Sequence, residues 1–182
     1  MKKESSTAYI ARRAITLLLI TAVVAAGLAC VNAVTAPEIE ALNAQKTQTA
    51  IEAVLPGGGE EIAFTDDSGI VSTIYKGQSG YAVEVTPAGF NGTVTMMVGV
   101  DNSGKVLGIS IVNHTETAGL GAEAASQGAA GTAFRSQFAG MSGSVSVSKD
   151  GGQVDALTGA TITSRAVCTG VNAALNAVAK LG

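Results

Sequence analysis

Residues 155–167 read DALTGATITSRAV and place four side-chain hydroxyls close to one glycine. The hydroxyls belong to Thr158, Thr161, Thr163 and Ser164. One hydroxyl at the start of a helix is explained by capping, because a Ser or Thr side chain accepts a hydrogen bond from a free backbone N–H group. Four hydroxyls favour a further role for this stretch, either binding an anionic ligand or carrying a covalent modification.

The surroundings of these hydroxyls are suited to holding an anion. Gly159 indicates a turn, and the apolar spacing from Val167 onward indicates a helix that starts near the hydroxyls. The start of a helix presents free N–H groups and a partial positive charge, which together favour phosphate. The stretch has neither a Walker lysine nor the G-x-G-x-x-G spacing, so it does not match an ordinary nucleotide-binding loop.

Composition argues against several other kinds of site. The chain has one histidine, His114, and two cysteines, Cys30 and Cys168, which do not have metal-ligand or disulfide spacing. We therefore predict no metal site and no catalytic residues. Only 14% of the residues are charged, the net charge is −3, and basic residues cluster only at the N-terminus. We expect no nucleic-acid partner.

An uncharged apolar segment, residues 14–35, lies near the N-terminus. As a helix it would be about 33 Å long, enough to cross the bilayer core. Basic residues precede this segment and acidic residues follow it: Lys2, Lys3, Arg12, Arg13, Glu38 and Glu40. The positive-inside rule then predicts a cytoplasmic tail at 1–13, a transmembrane helix at 14–35 and an outer-face location for residues 36–182.

Two other interpretations of the apolar segment stay open. A cleaved signal peptide has a shorter apolar core than this segment. A lipoprotein signal would end at Cys30, and Gly-Leu-Ala-Cys resembles one, although Gly27 stands where a larger aliphatic residue is usual. We favour the retained membrane helix and keep the lipid-anchored form as an alternative.

The residues after the membrane segment predict an α+β architecture. Residues 36–60 are interpreted as a membrane-proximal helix that begins at Pro37, followed by a glycine-rich linker. Alternating apolar residues then predict strands at 70–77, 81–89, 93–100, 105–112 and 144–148. In the fourth of these, Leu107, Ile109 and Ile111 are expected to share one face. The sheet is predicted to be antiparallel.

Helices are predicted to cover that sheet. One or two short helices are expected between residues 122 and 138, where Phe134 and Phe138 are spaced four apart. The three- and four-residue spacing from Val167 to Leu181 predicts an amphipathic final helix. The predicted fold is therefore an N-terminal transmembrane helix followed by an antiparallel sheet packed with helices, with a domain at 61–182.

The stretch DALTGAT at 155–161 resembles the flavinylation motif of FMN-binding domains, D-x-x-[ST]-G-A-[ST]. In that family a flavin transferase uses FAD to attach FMN through a phosphoester to the last hydroxyl residue of the motif. The resemblance implies that Thr161 carries covalent FMN. It also implies that Thr158, Gly159 and Ala160 contribute to cofactor binding, and that Asp155 serves recognition by the transferase.

A second stretch supports the same family. Residues 114–121, HTETAGLG, resemble the family's E-T-P-G-L-G loop near the flavin, with Ala118 in place of the usual proline. The resemblance implies flavin-side contacts from Glu116, Thr117, Gly119, Leu120 and Gly121. It covers roughly residues 80–180, the usual extent of one small domain.

The wider layout, with a short tail, one membrane helix and a single FMN-binding domain, resembles the G subunit of Rnf-type electron-transport complexes. This family is related to the C subunit of the sodium-pumping NADH:quinone reductase. The resemblance implies an electron-relay subunit in the cytoplasmic (inner) membrane, with FMN on the outer face, coupled to ion translocation. Its implied partners are other membrane subunits of the complex and a flavin transferase.

Two alternatives to this function remain. The chain could be a free-standing extracytoplasmic flavoprotein that acts as a reductase or electron carrier. It could instead be a lipoprotein binding module without covalent flavin.

Overall fold

The computed structural model describes residues 6–66 and 68–181. Residues 1–5 of the predicted tail, and residues 67 and 182 of the predicted domain, lie outside the described residues. The chain divides into two compact units, Met1–Gln45 and Lys46–Gly182.

The N-terminal part is one long helix, α1, at Ser6–Val54. It is long and apolar enough to cross a membrane, with a mean hydropathy of 2.6 in its most apolar window. The sequence predicts two helices that meet near Pro37, whereas the structure has one helix that contains Pro37. Proline removes a single intrahelical hydrogen bond, and the helix continues because the residues on either side of Pro37 keep theirs.

The second unit contains a five-stranded antiparallel sheet in which each strand pairs with the next along the chain. The strands are β1 Glu60–Ile62, β2 Val71–Lys76, β3 Gly80–Val85, β4 Val94–Asp101 and β5 Val106–His114. Four of these strands are predicted from alternation; β1 is not. The turn between β4 and β5 is held by the Asp101 carboxylate, which accepts hydrogen bonds from the backbone N–H groups of Ser103 and Lys105 at 2.8 and 2.9 Å.

Helices cover both faces of this sheet, which confirms the α+β class. On one face lies α3, Thr161–Leu181, whose Val167 and Val171 belong to the main core. On the other face lies the end of α1, where Ile51 and Val54 pack with Met97 of β4. The compact unit therefore begins before residue 61, because this last part of α1 is buried against the sheet.

The short helices predicted between 122 and 138 are present as a 3₁₀ segment at Gly121–Ala125 and as α2 at Ala129–Ser136. Phe134 and Phe138 pack edge to face with ring centroids 5.4 Å apart. This part of the chain joins β5 to the segment that precedes α3.

The strand predicted at 144–148 is wrong. Val145 and Val147 alternate as buried residues, but only Val147 forms a bridge, with Val154. The backbone of Val145 bonds instead to the side-chain amide of Asn172, which accepts its N–H at 2.8 Å and donates to its carbonyl at 2.8 Å. A side chain of α3 thus takes the place of a neighbouring strand.

The shared face predicted for β5 is also wrong at one residue. Gly99 pairs with Gly108, but the next pair is Val100 with Val106, so Leu107 is an extra residue on β5. Such a bulge re-aims side chains. Leu107 is 40% exposed, while Val106 is buried in the core.

Candidate functional site

A cleft of about 310 Å³ lies at the start of α3. Its walls come from the β3–β4 connection, the loop after β5, the segment before Val154 and the first turn of α3. The lining residues are Phe90, Glu116, Thr117, Leu120, Gly121, Lys149, Gly159, Ala160, Thr161, Ile162 and Thr163.

A tight turn delivers Thr161 to this cleft. Gly159 has a φ of +75°, a conformation that glycine adopts without steric cost. The Ala160 N–H donates to the Leu157 carbonyl at 3.0 Å and closes the turn. The Ser164 hydroxyl completes it by accepting the Leu157 N–H and donating to the Ala160 carbonyl, both at 3.0 Å.

The residue that opens the motif, Asp155, is held through its backbone. Its N–H donates to Oε1 of Gln137 at 2.7 Å, and its carbonyl accepts from Nε2 of the same side chain at 3.2 Å. Gln137 follows directly after α2. This pairing leaves the Asp155 carboxylate exposed to solvent.

The Glu116 carboxylate joins three segments at the back of the cleft. It is 8% exposed and accepts the N–H groups of Phe90 and Asn91 at 2.8 and 3.2 Å. It also accepts the Thr163 hydroxyl at 2.6 Å. A buried carboxylate is tolerated only when its oxygens are hydrogen-bonded, and these donors meet that need.

Glycine is required beside this carboxylate. A Cβ at Gly121 would meet both the Glu116 carboxylate and the Thr163 hydroxyl, and a Cβ at Gly89 would also meet the carboxylate. Both backbones therefore approach Glu116 more closely than any other residue type would allow. Gly121 is thus part of the cleft wall because close packing against Glu116 and Thr163 leaves no room for a side chain there.

The four hydroxyls in and directly after the motif occupy four different environments. Ser164 is buried, and its hydroxyl holds the turn before α3. Thr163 is also buried, and its hydroxyl donates to the Glu116 carboxylate. Thr158 is exposed. Thr161 is half-buried and lines the cleft, and its Oγ1 accepts a hydrogen bond from Lys149 Nζ at 3.2 Å.

The structure brings together seven of the residues that the sequence nominates: Glu116, Thr117, Leu120, Gly121, Gly159, Ala160 and Thr161. It does not bring Asp155, Gly119 or Thr158 into this cleft. Those three line a neighbouring groove, which shares Leu120 with the cleft. Leu120 is therefore the side chain that separates the two depressions.

Sequence reasoning missed three cleft residues, namely Phe90, Lys149 and Ile162. Phe90 is 66% exposed and Ile162 is 48% exposed. Turns are rich in Gly, Pro, Asn, Asp and Ser, so the aromatic Phe90 in the Gly89–Gly92 turn is unusual. That feature of the sequence could have marked Phe90 as a candidate. Lys149 lies twelve residues before Thr161, with no periodicity to relate them.

Charge near the cleft is partly paired. Arg165 makes a two-point ion pair with Asp150, with nitrogen–oxygen distances of 2.7 Å for both contacts. This hydrogen bonding lowers the pKa of the Asp150 carboxyl and raises the pKa of the Arg165 guanidinium. Among residues 6–66 and 68–181, no group of three His, Cys, Asp or Glu side chains is arranged to hold a metal ion.

Comparisons with known proteins agree on this region. The family model described as FMN-binding domain matches residues 89–176, which include every cleft residue. The chain is 35% identical over 182 residues to the G subunit of the Na(+)-translocating ferredoxin:NAD(+) oxidoreductase complex of Acetobacterium woodii, covering 86% of this chain and 85% of that one.

Two further relatives are also G subunits of such complexes. The chain is 32% identical over 177 residues to the one from the ion-translocating oxidoreductase complex of Methanosarcina acetivorans, covering 90% of this chain and 92% of that one. It is 40% identical over 102 residues to the one from the proton-translocating ferredoxin:NAD(+) oxidoreductase complex of Clostridium ljungdahlii, covering 54% of this chain and 52% of that one.

Removing one donor to Glu116 tests its structural role. We expect Thr163→Val to lower the free energy of unfolding by about 1.5–3 kcal/mol, because a buried carboxylate loses a hydrogen bond. Thr169→Val is the matched control, since Thr169 is exposed on the same helix, and its effect should stay within about 0.5 kcal/mol. Denaturant unfolding of the full chain in detergent, followed by tyrosine fluorescence, measures both; equal losses would contradict the role given to Glu116.

Proposed function

The chain belongs to the family of G subunits of ion-translocating oxidoreductase complexes, and we propose from that premise that it relays electrons through one covalently attached FMN. The observation that carries the proposal is the position of Thr161. Its hydroxyl lies at the first residue of α3, in a cleft inside the FMN-binding domain match, and beside an ammonium group.

The residues around the cleft offer groups suited both to the phosphate and to the ring of FMN. At the phosphate end are Thr161 Oγ1, Lys149 Nζ and the first N–H groups of α3, which have no intrahelical acceptor. The cleft is also lined by Phe90, Leu120 and Ile162, three apolar side chains that are 45–66% exposed. A cleft with an apolar lining and a few polar groups is typical of small-molecule sites.

Attachment is proposed to occur at Thr161 Oγ1. A bond forms between this oxygen and the FMN phosphorus of FAD, while the anhydride bond to the AMP portion breaks and AMP leaves with the electron pair. The hydroxyl proton passes to a base of the flavin transferase. Asp155 is proposed as a recognition residue, because Gln137 holds its backbone and leaves its carboxylate exposed.

The loop after β5 is proposed to face the isoalloxazine ring through Thr117, Leu120 and Gly121, which line the cleft. Glu116, in the same loop, attaches it to the β3–β4 connection and to α3. Bound FMN would supply the redox chemistry, and the protein would tune it only through contacts, burial and nearby charge. Thr158 and Gly119 are assigned to the turn and loop that carry these residues rather than to direct contact.

The proposed setting is the cytoplasmic (inner) membrane, with the N-terminus in the cytoplasm and the cleft on the outer face. Other subunits of the complex would be its electron donor and acceptor. The relatives' names mention Na⁺ in one case and protons in another, so ion coupling is proposed here without naming the ion.

The attachment site is tested by replacing the hydroxyls one at a time. We expect Thr161→Ala to give folded, membrane-bound protein without flavin, because its hydroxyl makes one exposed side-chain bond, with Lys149. Thr161→Ser should retain flavin because it keeps a hydroxyl, and Thr158→Ala should retain it because Thr158 lies outside the cleft. Intact mass after denaturation, followed by peptide mapping, measures the adduct; full retention in Thr161→Ala would refute the assignment.

The ring contact is tested at Leu120. We expect Leu120→Ala to keep the covalent adduct but to shift the flavin's visible spectrum and reduction potential, because the ring would lose an apolar neighbour. Leu107→Ala is the matched control, since Leu107 is similarly exposed but lies on the β5 bulge. An unchanged spectrum and potential in Leu120→Ala would place the ring elsewhere.

Orientation is tested with reporters fused after residue 182. Arg12 and Arg13 precede the apolar stretch, while Glu38 and Glu40 follow it, so the C-terminal part should lie outside the cytoplasm. A reporter that works only outside the cytoplasm should be active, and one that works only inside should be inactive. The reverse pattern would rule out both the orientation and an electron relay on the outer face.

A further inference from the structure

We propose that Lys149 is the phosphate-binding residue of this site, that it selects Thr161 among the hydroxyls of the motif, and that it neutralises the phosphodiester formed there. This inference rests on the proposed covalent attachment. It adds a residue that lies outside both sequence stretches resembling the family, DALTGAT and HTETAGLG. The direct observation is the 3.2 Å hydrogen bond from Lys149 Nζ to Thr161 Oγ1.

The backbone that carries Lys149 is fixed to the backbone that carries the motif. Lys149 lies in a short 3₁₀ segment, Ser148–Asp150. Directly before it, Val147 bridges to Val154, with the Ser148 N–H donating to the Val154 carbonyl at 2.7 Å. The motif begins at the next residue, so Lys149 lies inside the loop that this bridge closes and the motif continues directly from the end of that loop.

This loop closes tightly at Gly152. A Cβ at that position would meet the carbonyl group and side chain of Ser146. The Gly152 N–H also donates to the Val147 carbonyl at 3.0 Å. These backbone bonds therefore fix the backbone of Lys149 relative to Val154, the residue before the motif, and the flexible lysine side chain spans the remaining distance to Thr161.

The ammonium group is free to bind an anion. Its neighbour Asp150 is engaged by both contacts with Arg165. Within the described part of the chain, that is the one ion pair closer than 4 Å, and Lys149 has none. The other charged side chain of the cleft is Glu116, whose oxygens already accept two backbone N–H groups and the Thr163 hydroxyl.

Lys149 distinguishes Thr161 from the other hydroxyls. Thr163 and Ser164 are buried and bonded, so neither can reach a phosphorus atom. Thr158 is accessible, but it lies outside the cleft that Lys149 lines. At Thr161 an ammonium donor stabilises negative charge as it develops on the attacked phosphoryl group, in the manner of other fixed cationic donors. After transfer it faces the single negative charge of the phosphodiester.

The experiment compares attachment rates in Lys149→Gln, Lys149→Arg and Lys180→Gln. The last is the control, because it removes the same charge from the exposed end of α3. Each full-length chain is incubated with flavin transferase and FAD, and the adduct is followed by intact mass. We expect Lys149→Gln to slow attachment about tenfold or more, the scale of one charge-assisted hydrogen bond. Lys149→Arg should recover most of the rate, and Lys180→Gln should match the wild type.

A second readout does not depend on rate. The ³¹P resonance of the phosphodiester in loaded Lys149→Gln should differ from that of the wild type, while Lys180→Gln should leave it unchanged.

Added salt should slow attachment in the wild type more than in Lys149→Gln, because only the wild type has the ammonium group to screen. Unaltered thermal unfolding of unloaded Lys149→Gln, whose side chain is exposed, would exclude loss of the fold as the cause.

The outcomes separate this inference from the proposed function. A wild-type chain that acquires no FMN at Thr161 refutes the proposed function. A wild-type chain that acquires it, together with a Lys149→Gln chain of equal rate and equal ³¹P resonance, overturns the role of Lys149 and leaves the function standing. An adduct that spreads to Thr158 in Lys149→Gln supports the selecting role directly.

Discussion

The need to hydrogen-bond one buried carboxylate organises this site. Glu116 sits in the cleft wall with 8% of its surface exposed, and an ion in such a place is stable only if donors surround it. Those donors come from the β3–β4 connection and from α3. Because the β3–β4 connection bonds to Oε1 and α3 bonds to Oε2 of this one carboxylate, satisfying Glu116 also fixes the distance between the cleft walls. Gly89 and Gly121 follow from the same requirement, since a side chain on either would collide with that carboxylate.

Several hydroxyls are crowded in and directly after the motif because each of them has a different role. Thr163 supplies the carboxylate with its donor, and Ser164 closes the turn that presents Thr161. Both tasks are local and structural, and both leave their hydroxyls buried. Thr161 is the hydroxyl in the cleft that stays accessible once those two are bonded. A cluster of Ser and Thr can therefore contain one reactive group and several that only position it.

Local sequence patterns were enough to predict β2 to β5, which are short apolar runs bounded by turn residues, and α3, whose buried residues recur at three- and four-residue spacing. Prediction from these patterns failed where the hydrogen-bond partner of a segment comes from a distant part of the chain. The 144–148 segment has the alternation of a strand, but Asn172 of α3 bonds to its backbone. Likewise, the bulge at Leu107 depends on how β5 pairs with β4, and no feature of β5 alone specifies it.

The same limit applied to the site. The motif resemblance nominated Thr161 and the loop after β5, since both lie in short contiguous stretches. Lys149 could not be found that way, because its relation to Thr161 is created by the Val147–Val154 bridge. Phe90 is brought to the cleft by the Glu116 carboxylate, which binds its N–H group. Neither a sequence motif nor hydrophobic periodicity can identify residues that meet only through such contacts.

On the proposed function, the shape of the cleft explains why a covalent bond is useful. The apolar side chains that would contact the ring, Phe90, Leu120 and Ile162, each remain 45–66% exposed. Affinity for a small ligand depends mainly on apolar surface removed from water, and an open rim removes little of it. An ester at Thr161 makes retention independent of that burial. The ring can then stay accessible to a partner subunit, while the charged end is held among Lys149 and the first N–H groups of α3.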